Sequence, residues 1–228
     1  MINILKREII ITNDGSTTIH IPEWNEQYHS IHGAIQEAKH VFIKRGLHHV
    51  IAKNNLKHIA ILEIGFGTAL NAFISLLEAE KLKLNIDYSG IEAYPVSMEE
   101  ISQLNYPDQL NVLDKKDIFN KLHEVSWGFN HEITPNFQLQ KEEKDFLEIE
   151  KKNTFNLIYF DAFGARVQPE LWTEAIFKIM YEALKNNGVL VTYSAKGSVR
   201  RAMQSVGFIV ERLEGPPGKR EMLRAFKY

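Results

Sequence analysis

The segment from His58 to Leu77 constrains the fold more than any other part of the chain. It contains the apolar run 59–64, which has the length of a strand buried on both faces, followed by apolar residues at helical spacing. Between the two stands the turn G-F-G-T-A, residues 65–69. A strand, a glycine turn and a helix in direct succession predict a parallel sheet covered by helices, with turn backbone that passes close to a ligand.

The rest of the chain alternates between strand and helix patterns, as a mostly parallel sheet requires. Strands are predicted at 8–12, 17–21, 59–64, 86–92, 136–141, 155–160, 189–193, 208–213 and 222–226. Helices are predicted at 34–44, 68–81, 96–104, 114–125, 169–184 and 198–205. Gly46 is expected to end the first helix, and Asn186-Asn187-Gly188 the fifth. We therefore expect an α/β fold with a mostly parallel sheet, helices on both faces and an N-terminal hairpin and helix extension.

Composition limits the number of domains and the compartment. With 228 residues the chain suits one sizeable α/β domain, and we expect residues 1–57 to pack as an extension on a core of residues 58–228. The chain has no cysteine, which excludes disulfides and thiolate metal sites and fits a cytoplasmic protein. Residues 1–11 lack signal-peptide features, and no apolar run approaches the roughly 18 residues that cross a bilayer, so no membrane partner is expected.

The glycine turn and the end of the next strand together indicate a cofactor that contains adenosine. Ligands of open α/β sheets bind beyond the carboxyl ends of the strands, where glycines let the backbone approach them. The next strand ends at Glu92, whose carboxylate would accept hydrogen bonds from a ribose diol. The alternative is that Gly65 and Gly67 only form a turn and that Glu92 is a solvated strand end.

Two residues distinguish between possible cofactors. A dinucleotide site would need a third glycine where this chain has Leu70. Glu63 would repel a pyrophosphate but suits a methionine-type ammonium, directly or through water. The pattern E-x-G-x-G with an acidic end to the next strand is typical of S-adenosylmethionine-dependent methyltransferases. We therefore expect a Rossmann-like class I methyltransferase fold with S-adenosyl-L-methionine as cofactor.

The segment Y-F-D-A-F-G, residues 159–164, stands at the end of the fourth core strand. Its Asp161 is expected at the mouth of the same crevice, where a carboxylate would bind an incoming amine and orient its lone pair toward the methyl carbon. An alkylamine is mostly protonated near pH 7 and must lose a proton before it attacks, so Asp161 could relay that proton. A cap for a nearby loop is the other role open to Asp161.

Basic residues crowd the last third of the chain. Those expected near the crevice mouth are Lys196, Arg200, Arg201, Lys219 and Arg220. Such a cluster would contact phosphates, mainly for position and affinity. Because the net charge of the chain is −2, a nucleic-acid partner would need a local basic face of this kind. An ordinary solvated surface is the alternative.

Several motifs resemble the methyltransferase half of the MnmC family of bacterial tRNA 5-methylaminomethyl-2-thiouridine biosynthesis proteins, in a stand-alone form without the flavin domain. The similar segments are E-x-Y-H-S (26–30), G-A-I-Q-E-A-K-H-V-F-I (33–43), G-F-G-T (65–68), G-I-E-A-Y-P (90–95), D-F-L-E-I (145–149), Y-F-D-A-F (159–163), Q-P-E-L-W (168–172), T-Y-S-A-K-G-S-V-R-R (192–201) and G-K-R-E-M-L (218–223). The chain departs from the family pattern at Ala69 and Ala162, where the family often has glycine.

The resemblance implies N-methylation of the aminomethyl group of 5-aminomethyl(-2-thio)uridine at the tRNA wobble position, with the anticodon loop as partner and no metal. Asp161 would be the active-site aspartate. The cofactor-binding residues would be Glu63, Gly65, Gly67, Thr68, Glu92 and Asp145, the last beside the adenine amino group with Glu143 as its rival. A wobble base lies in a single-stranded loop and can stack on an aromatic side chain. The candidates for stacking are Tyr28, Phe163 and Trp172, the last with a place in the core as its alternative.

Two other functions stay open. A small-molecule amine alkyltransferase, such as an aminopropyltransferase resembling spermidine synthase, would use a similar fold and acidic crevice without needing the basic cluster. A non-catalytic tRNA-binding module would have no affinity for S-adenosylmethionine. The combination of Glu63, Glu92 and Asp161 argues against the module.

Overall fold

The computed structural model describes residues 6–228; residues 1–5 of the expected extension lie outside the described residues. The strands are β1 (Glu8–Ile11), β2 (Thr17–Ile21), β3 (Glu26–Gln27), β4 (His58–Ile64), β5 (Asn85–Glu92), β6 (Asn130–Thr134), β7 (Phe137–Glu143), β8 (Phe155–Phe160), β9 (Leu184–Thr192), β10 (Ile209–Glu214) and β11 (Glu221–Phe226). The α-helices are α1 (Ala34–Ala38), α2 (His48–Asn54), α3 (Leu70–Leu82), α4 (Met98–Ile101), α5 (Tyr106–Gln109), α6 (Lys116–Glu124), α7 (Glu174–Ala183) and α8 (Gly197–Ser205). A π-helix, Lys39–Leu47, joins α1 to α2, and 3₁₀ turns occupy Leu113–Lys115, Phe146–Glu148 and Pro169–Trp172.

The strand order of the large sheet determines where a ligand can bind. Eight strands pair in the order β10-β11-β9-β8-β4-β5-β7-β6. The five central strands from β9 to β7 are parallel, whereas β6, β10 and β11 are antiparallel to their neighbours. After β4 the chain builds one half of the sheet outward through β5, and it then returns to β8 on the other side of β4. Such a switch point opens a crevice beyond the strand ends. The expected mostly parallel α/β sheet is confirmed.

Both faces of the sheet are buried, which explains the continuous apolar runs in its central strands. In β4, Ile61 packs into one core with Phe73 of α3, whereas Leu62 packs into the other core with Phe177 of α7. Alternate residues of a strand point to opposite faces, so neither face of β4 tolerates a polar residue without a partner. Glu63 is the exception, and its partners are described below. Among the described residues, none of the helices has both the length and the apolar character of a membrane span.

The N-terminal segment contributes a small sheet and a long helical rod. Strands β1, β2 and β3 form a separate antiparallel sheet, so the predicted hairpin is confirmed. The prediction that Gly46 ends the first helix is wrong, because helical structure continues to Asn54. A Cβ atom at Gly46 would lie 3.0 Å from Cγ2 of Val191 and 3.3 Å from Cε1 of Tyr159. This glycine therefore lets the rod lie close to the sheet, and the helical segment ends instead at Asn55 in the left-handed conformation.

Other parts of the predicted element pattern also differ from the structure. The predicted helix 96–104 shrinks to α4, because a capping box at Ser97 starts it and no long apolar face extends it. The segment 186–188 lies inside β9 instead of closing a helix, with Asn187 at a φ of 64° beside a register shift. Strand β6 has no counterpart in the prediction; it is an edge strand with one buried residue, Ile133.

Candidate active site

An open cavity of about 1600 Å³ lies beyond the carboxyl ends of the central strands. It is lined by the glycine turn, the ends of β5 and β7, the loop after β8, the N-terminal segment and the β10–β11 loop. The predicted site residues that line this cavity are Tyr28, Gly65, Gly67, Glu92, Glu143, Asp145, Asp161, Phe163, Lys196 and Lys219. The predicted residues outside its wall are Glu63, Thr68, Trp172, Arg200, Arg201 and Arg220.

The glycine turn follows β4 and needs its glycines for two physical reasons. Gly65 has a φ of +85°, and a Cβ atom there would lie 2.8 Å from the carbonyl oxygen of Asp161. Gly67 has a φ of +47°, and its Cβ atom would lie 3.0 Å from the ring of Tyr28. Ala69 also lies in the left-handed region, at a φ of 57°, which is the conformation that a glycine would adopt without strain. The turn therefore presents bare backbone to the cavity.

We expect Gly65→Ala to lower the free energy of unfolding by about 2–3 kcal/mol, because it adds a backbone clash to left-handed strain. Gly128→Ala is the matched control, since Gly128 has a φ of +83° and a Cβ atom added there would meet open space within 4 Å among the described residues. Strain alone predicts a loss of about 1 kcal/mol there. Urea denaturation of both variants measures the difference. Equal losses would mean that the contact with Asp161 does not constrain the turn.

Glu92 ties the end of β5 to the glycine turn. Its Oε2 accepts a hydrogen bond from the backbone N–H of Gly67 at 3.0 Å, and its Oε1 accepts one from the backbone N–H of Tyr94 at 2.9 Å. Both bonds hold the carboxylate in a fixed orientation on the cavity wall. Each carboxylate oxygen can accept more than one hydrogen bond, so a ligand diol can still bind here.

Glu63 lies beneath the turn rather than in the cavity. The side chain is 1% exposed; its Oε1 accepts a hydrogen bond from Nδ2 of Asn71 at 2.8 Å, and its Oε2 accepts one from the hydroxyl of Tyr88 at 2.8 Å. Burial raises the pKa of Glu63 to about 8. Both oxygens already have protein partners, so any effect of Glu63 on a cofactor passes through its neighbours.

Thr68 is likewise buried behind the wall. Its Oγ1 accepts a hydrogen bond from the hydroxyl of Tyr106 at 3.1 Å and lies 2.7 Å from Nε2 of His29. Burial lowers the pKa of His29 to about 4, so this imidazole is neutral at pH 7. His29 lines the cavity, and sequence reasoning did not single it out. Thr68 thus joins the glycine turn to the N-terminal segment.

Asp161 directly follows β8 and faces the cavity. Its backbone N–H donates to the carbonyl of Ile64, and its Oδ2 accepts a hydrogen bond from Nδ2 of Asn71 at 2.8 Å. Burial, then the nearby charges of Glu37 and Glu63, raise the pKa of Asp161 well above its usual value. A cation beside this carboxyl group would lower its pKa and so favour the ionised form.

Aromatic side chains of the N-terminal segment and of the loop after β8 line the cavity together. Tyr28 and Trp24 both pack edge-on against Phe163, with ring centroids 4.9 and 5.6 Å apart. Trp172 is buried, and its Nε1–H donates to the carbonyl of Phe163 at 2.8 Å, so it supports the loop from the core side. Arg166 of the same loop donates to the carbonyl of Trp24 at 2.8 Å. The loop after β8 and the N-terminal segment are thereby fastened to each other.

The predicted basic residues fall into two groups. Lys219 forms an ion pair with the buried carboxylate of Glu37, and its Nζ lies 3.9 Å above the ring of Tyr193. Lys196 is exposed on the cavity wall. Arg200, Arg201 and Arg220 stand outside the wall, on α8 and in the β10–β11 loop. Within residues 6–228, no three His, Asp or Glu side chains are grouped to hold a metal ion.

The two candidates for an adenine contact both reach the cavity. Glu143 ends β7, opposite Glu92 in the strand register. Asp145 begins a 3₁₀ turn, where its Oδ1 accepts a hydrogen bond from the backbone N–H of Leu147 at 2.8 Å. Both side chains are exposed and line the wall, so the two alternatives remain.

Comparison with known proteins identifies the class to which this site belongs. Residues 116–228 match a family described as S-adenosyl-L-methionine-dependent methyltransferase. The matched part includes Asp145 and Asp161, and the glycine turn precedes it. Together with the sheet order and the bare turn beside Glu92, the match defines the chain as a methyltransferase that uses S-adenosyl-L-methionine.

Two relatives narrow this class. The tRNA 5-methylaminomethyl-2-thiouridine biosynthesis bifunctional protein MnmC of Leptospira interrogans is 29% identical over an alignment of 212 residues, which covers 88% of this chain and 32% of that protein. The crystal structure of MnmC2 from Aquifex aeolicus superposes on this chain with a TM-score of 0.80 at 26% identity. The superposition covers 100% of this chain and 72% of the MnmC2 chain. The predicted resemblance to the methyltransferase part of MnmC is confirmed. The chain spans about a third of the length of the MnmC protein that it matches.

A second kind of fold relative bears on the alternative function. Spermidine synthase from Thermotoga maritima superposes on this chain with a TM-score of 0.61 at 15% identity. The superposition covers 99% of this chain and 70% of the spermidine synthase chain. At this identity the likeness shows the fold alone.

Proposed function

We propose that this protein transfers a methyl group from S-adenosyl-L-methionine to the side-chain amine of 5-aminomethyl(-2-thio)uridine at the tRNA wobble position. The observation that carries the proposal is that Asp161 lines the same cavity as the glycine turn and the aromatic side chains, with its backbone against Gly65. A donor held at the turn and an acceptor held at the aromatic rings would meet beside this carboxyl group. The name of the MnmC relative from Leptospira interrogans supports the tRNA substrate.

The cofactor would be held mainly by the glycine turn and its carboxylate neighbours. Gly65 and Gly67 leave backbone bare for the methionine end, and Glu92 would accept hydrogen bonds from the ribose hydroxyls. Asp145 or Glu143 would meet the adenine amino group. When bound, S-adenosyl-L-methionine supplies an electrophilic methyl group on a positively charged sulfur. Glu63 and Thr68 would hold the turn in shape from behind.

The acceptor half of the cavity favours a protonated amine on a flat ring. The charged groups beside Asp161 are Glu37, Glu63 and Lys219, of which Lys219 favours its ionised form and the two glutamates oppose it. An ammonium bound beside Asp161 would lower its pKa and so favour the charged carboxylate. Tyr28 and Phe163 would stack on the uracil ring, as bases of single-stranded loops stack on aromatic side chains. Lys196 and the outer arginines Arg200, Arg201 and Arg220 would contact phosphates of the anticodon loop.

Methyl transfer then requires loss of one proton and displacement at carbon. Asp161 would accept a proton from the ammonium, which frees the nitrogen lone pair to form a bond to the methyl carbon as the carbon–sulfur bond breaks. Bound S-adenosyl-L-methionine would supply the methyl group, and its sulfur would keep the electron pair of the broken bond and leave as a thioether. Asp161 both relays the proton and aligns the nitrogen, and alignment accounts for much of the rate in such displacements.

Nucleoside mass spectrometry tests the substrate. Purified protein is incubated with tRNA that carries 5-aminomethyluridine and with methyl-labelled S-adenosyl-L-methionine, and labelled 5-methylaminomethyluridine is the expected product. Label on spermidine or another small amine, without tRNA, would instead support the alkyltransferase. Binding of S-adenosyl-L-methionine without any transfer would overturn the acceptor assignment. A tRNA substrate is also consistent with the cytoplasmic localisation that we expect.

The affinity of the protein for the cofactor and its affinity for the demethylated product should depend differently on pH. The two ligands share their titrating amino and carboxyl groups and differ in the charged sulfur. Because the pKa of Glu63 is about 8 and that of Asp161 is raised, both carboxyl groups are more neutral at pH 6 and more ionised at pH 9. We expect the preference for S-adenosylmethionine over S-adenosylhomocysteine to rise about tenfold over this range. Calorimetry at both pH values measures it, and an unchanged ratio would mean that neither carboxyl group senses the sulfonium.

A further inference from the structure

Asn71 stands between two carboxyl groups of the site, those of Glu63 and Asp161. Its Nδ2 lies 2.8 Å from Oε1 of Glu63 and 2.8 Å from Oδ2 of Asp161. An amide nitrogen carries two hydrogens, so one is donated to each carboxyl group. The same atom therefore contacts the acid beneath the turn and the acid on the cavity wall.

The environment of Asn71 indicates that these two bonds determine its orientation. The side chain is 1% exposed and belongs to the first turn of α3, which is otherwise mostly apolar. Its Oδ1 is buried without a hydrogen-bond partner among the described residues. An unpaired buried acceptor is costly, about 1–3 kcal/mol in typical proteins, so the contacts of Nδ2 must outweigh it. Asn71 is not part of the cavity wall, and it can act on a bound molecule only through its partners.

We propose that Asn71 is a positioning residue that couples Glu63 to Asp161. It holds Asp161 by Oδ2, which leaves Oδ1 free to face the acceptor amine, and it stabilises the charged form of whichever carboxyl group is ionised. Glu63 thereby acts on the cavity without touching it. The role in methyl transfer rests on the proposed function, whereas the coupling of the two carboxyl groups does not.

Other charged and titratable groups face the pair and would act on it together with Asn71. Around Asp161 they are Glu37 of α1, Tyr193 after β9 and Lys219 of the β10–β11 loop. Around Glu63 they are Tyr88 and Glu92 of β5 and Tyr159 of β8. Lys219 favours the ionised form of Asp161, whereas Glu37 and Glu63 oppose it. Within this set, the amide of Asn71 is the hydrogen-bond donor that the two carboxyl groups share.

Asn71→Leu removes the donors and keeps a side chain of similar size. We expect the acidic limb of the pH–rate profile to move to higher pH by about one unit, because ionised Asp161 loses its hydrogen bond. At pH 7 kcat should fall about tenfold, and raising the pH should restore it. The Kd of S-adenosylhomocysteine should stay within about twofold, since Asn71 lies behind the wall. Ser75→Ala is the matched control, because Ser75 is buried one turn further along α3 and bonds to Tyr159 instead.

A direct titration separates the inference from the proposed function. Carbon-13 NMR of labelled aspartate and glutamate carboxyl groups follows both acids in the free protein, with Asp161→Asn and Glu63→Gln as assignment variants. In N71L the Asp161 signal should titrate about one unit higher than in the wild type. An unchanged midpoint would overturn the coupling, whatever the substrate is.

If N71L does not fold, Asn71→Asp keeps the shape and should move the midpoint in the same direction. Wild-type protein that titrates as expected yet leaves tRNA unmethylated would refute the proposed function alone.

Discussion

Replacing Asp161 by asparagine should slow methyl transfer to tRNA by about 10³-fold, the range expected when a proton-accepting group is removed from its reacting partner. Asparagine keeps the size of the side chain and can still accept the hydrogen bond from Asn71. The variant loses only the charge that receives an ammonium proton. The Kd of S-adenosylhomocysteine, which carries no sulfonium, should change less than threefold by calorimetry, about 0.6 kcal/mol at most.

Glu170→Gln provides the control for Asp161→Asn. Glu170 lies on the same loop after β8 and also lines the cavity, but it is exposed and does not contact Asn71. The same change in net charge should leave turnover within about twofold of the wild type, because an exposed charge is screened by solvent. If D161N retained wild-type kcat, Asp161 would have no part in the proton transfer that we propose.

Replacing Glu92 by alanine should weaken S-adenosyl-L-methionine binding about 100-fold. Two hydrogen bonds from ribose hydroxyls to a charged oxygen would be lost, and each such bond contributes about 1.5 kcal/mol. The turn would also lose its anchor, because Oε2 of Glu92 accepts the hydrogen bond from the N–H of Gly67. Isothermal calorimetry with the cofactor and with S-adenosylhomocysteine should show the same loss for both, since they share the ribose.

Glu99→Ala tests whether the loss is specific to the carboxylate of β5. Glu99 lies on the rim of the same cavity and in the first turn of α4, without a bond to the glycine turn. Its removal should alter the Kd less than twofold, about 0.4 kcal/mol. Comparable losses in both variants would show that the general negative charge of the rim, rather than a ribose contact at Glu92, governs affinity.

The central part of the fold could be predicted because its strands are buried on both sides. Continuous apolar runs such as 155–160 admit few other interpretations when turn residues bound them, and the structure reproduces that run residue for residue. Edge strand β6 lacks such a run and depends on pairing with β7. Gly46 was misread because sequence does not show what lies against a helix. Its role becomes visible only when Val191 is seen beside it.

The candidate site also contains residues that could be predicted from the sequence and residues that could not. Residues on strand ends and turns, such as Glu92 and Asp161, could be chosen because chain order places them at the sheet edge. Glu63 was expected in the cavity, yet alternation along β4 turns it toward Asn71 and Tyr88. The sequence shows one unusual feature of Asn71, namely that it is a polar residue in a helix rich in apolar residues. Its two acidic partners are Glu63 of β4 and Asp161 just after β8, and only the three-dimensional structure shows that both contact Asn71.

The cavity draws its two halves from different stretches of chain. The strand ends of the sheet supply the glycine turn, whereas the N-terminal segment supplies Trp24, Tyr28 and His29. Under the proposed function, part of the acceptor pocket therefore belongs to a segment that lies outside the large sheet. Substitutions at Trp24 and Tyr28 should alter the choice of acceptor while the strand ends that would hold the cofactor stay intact.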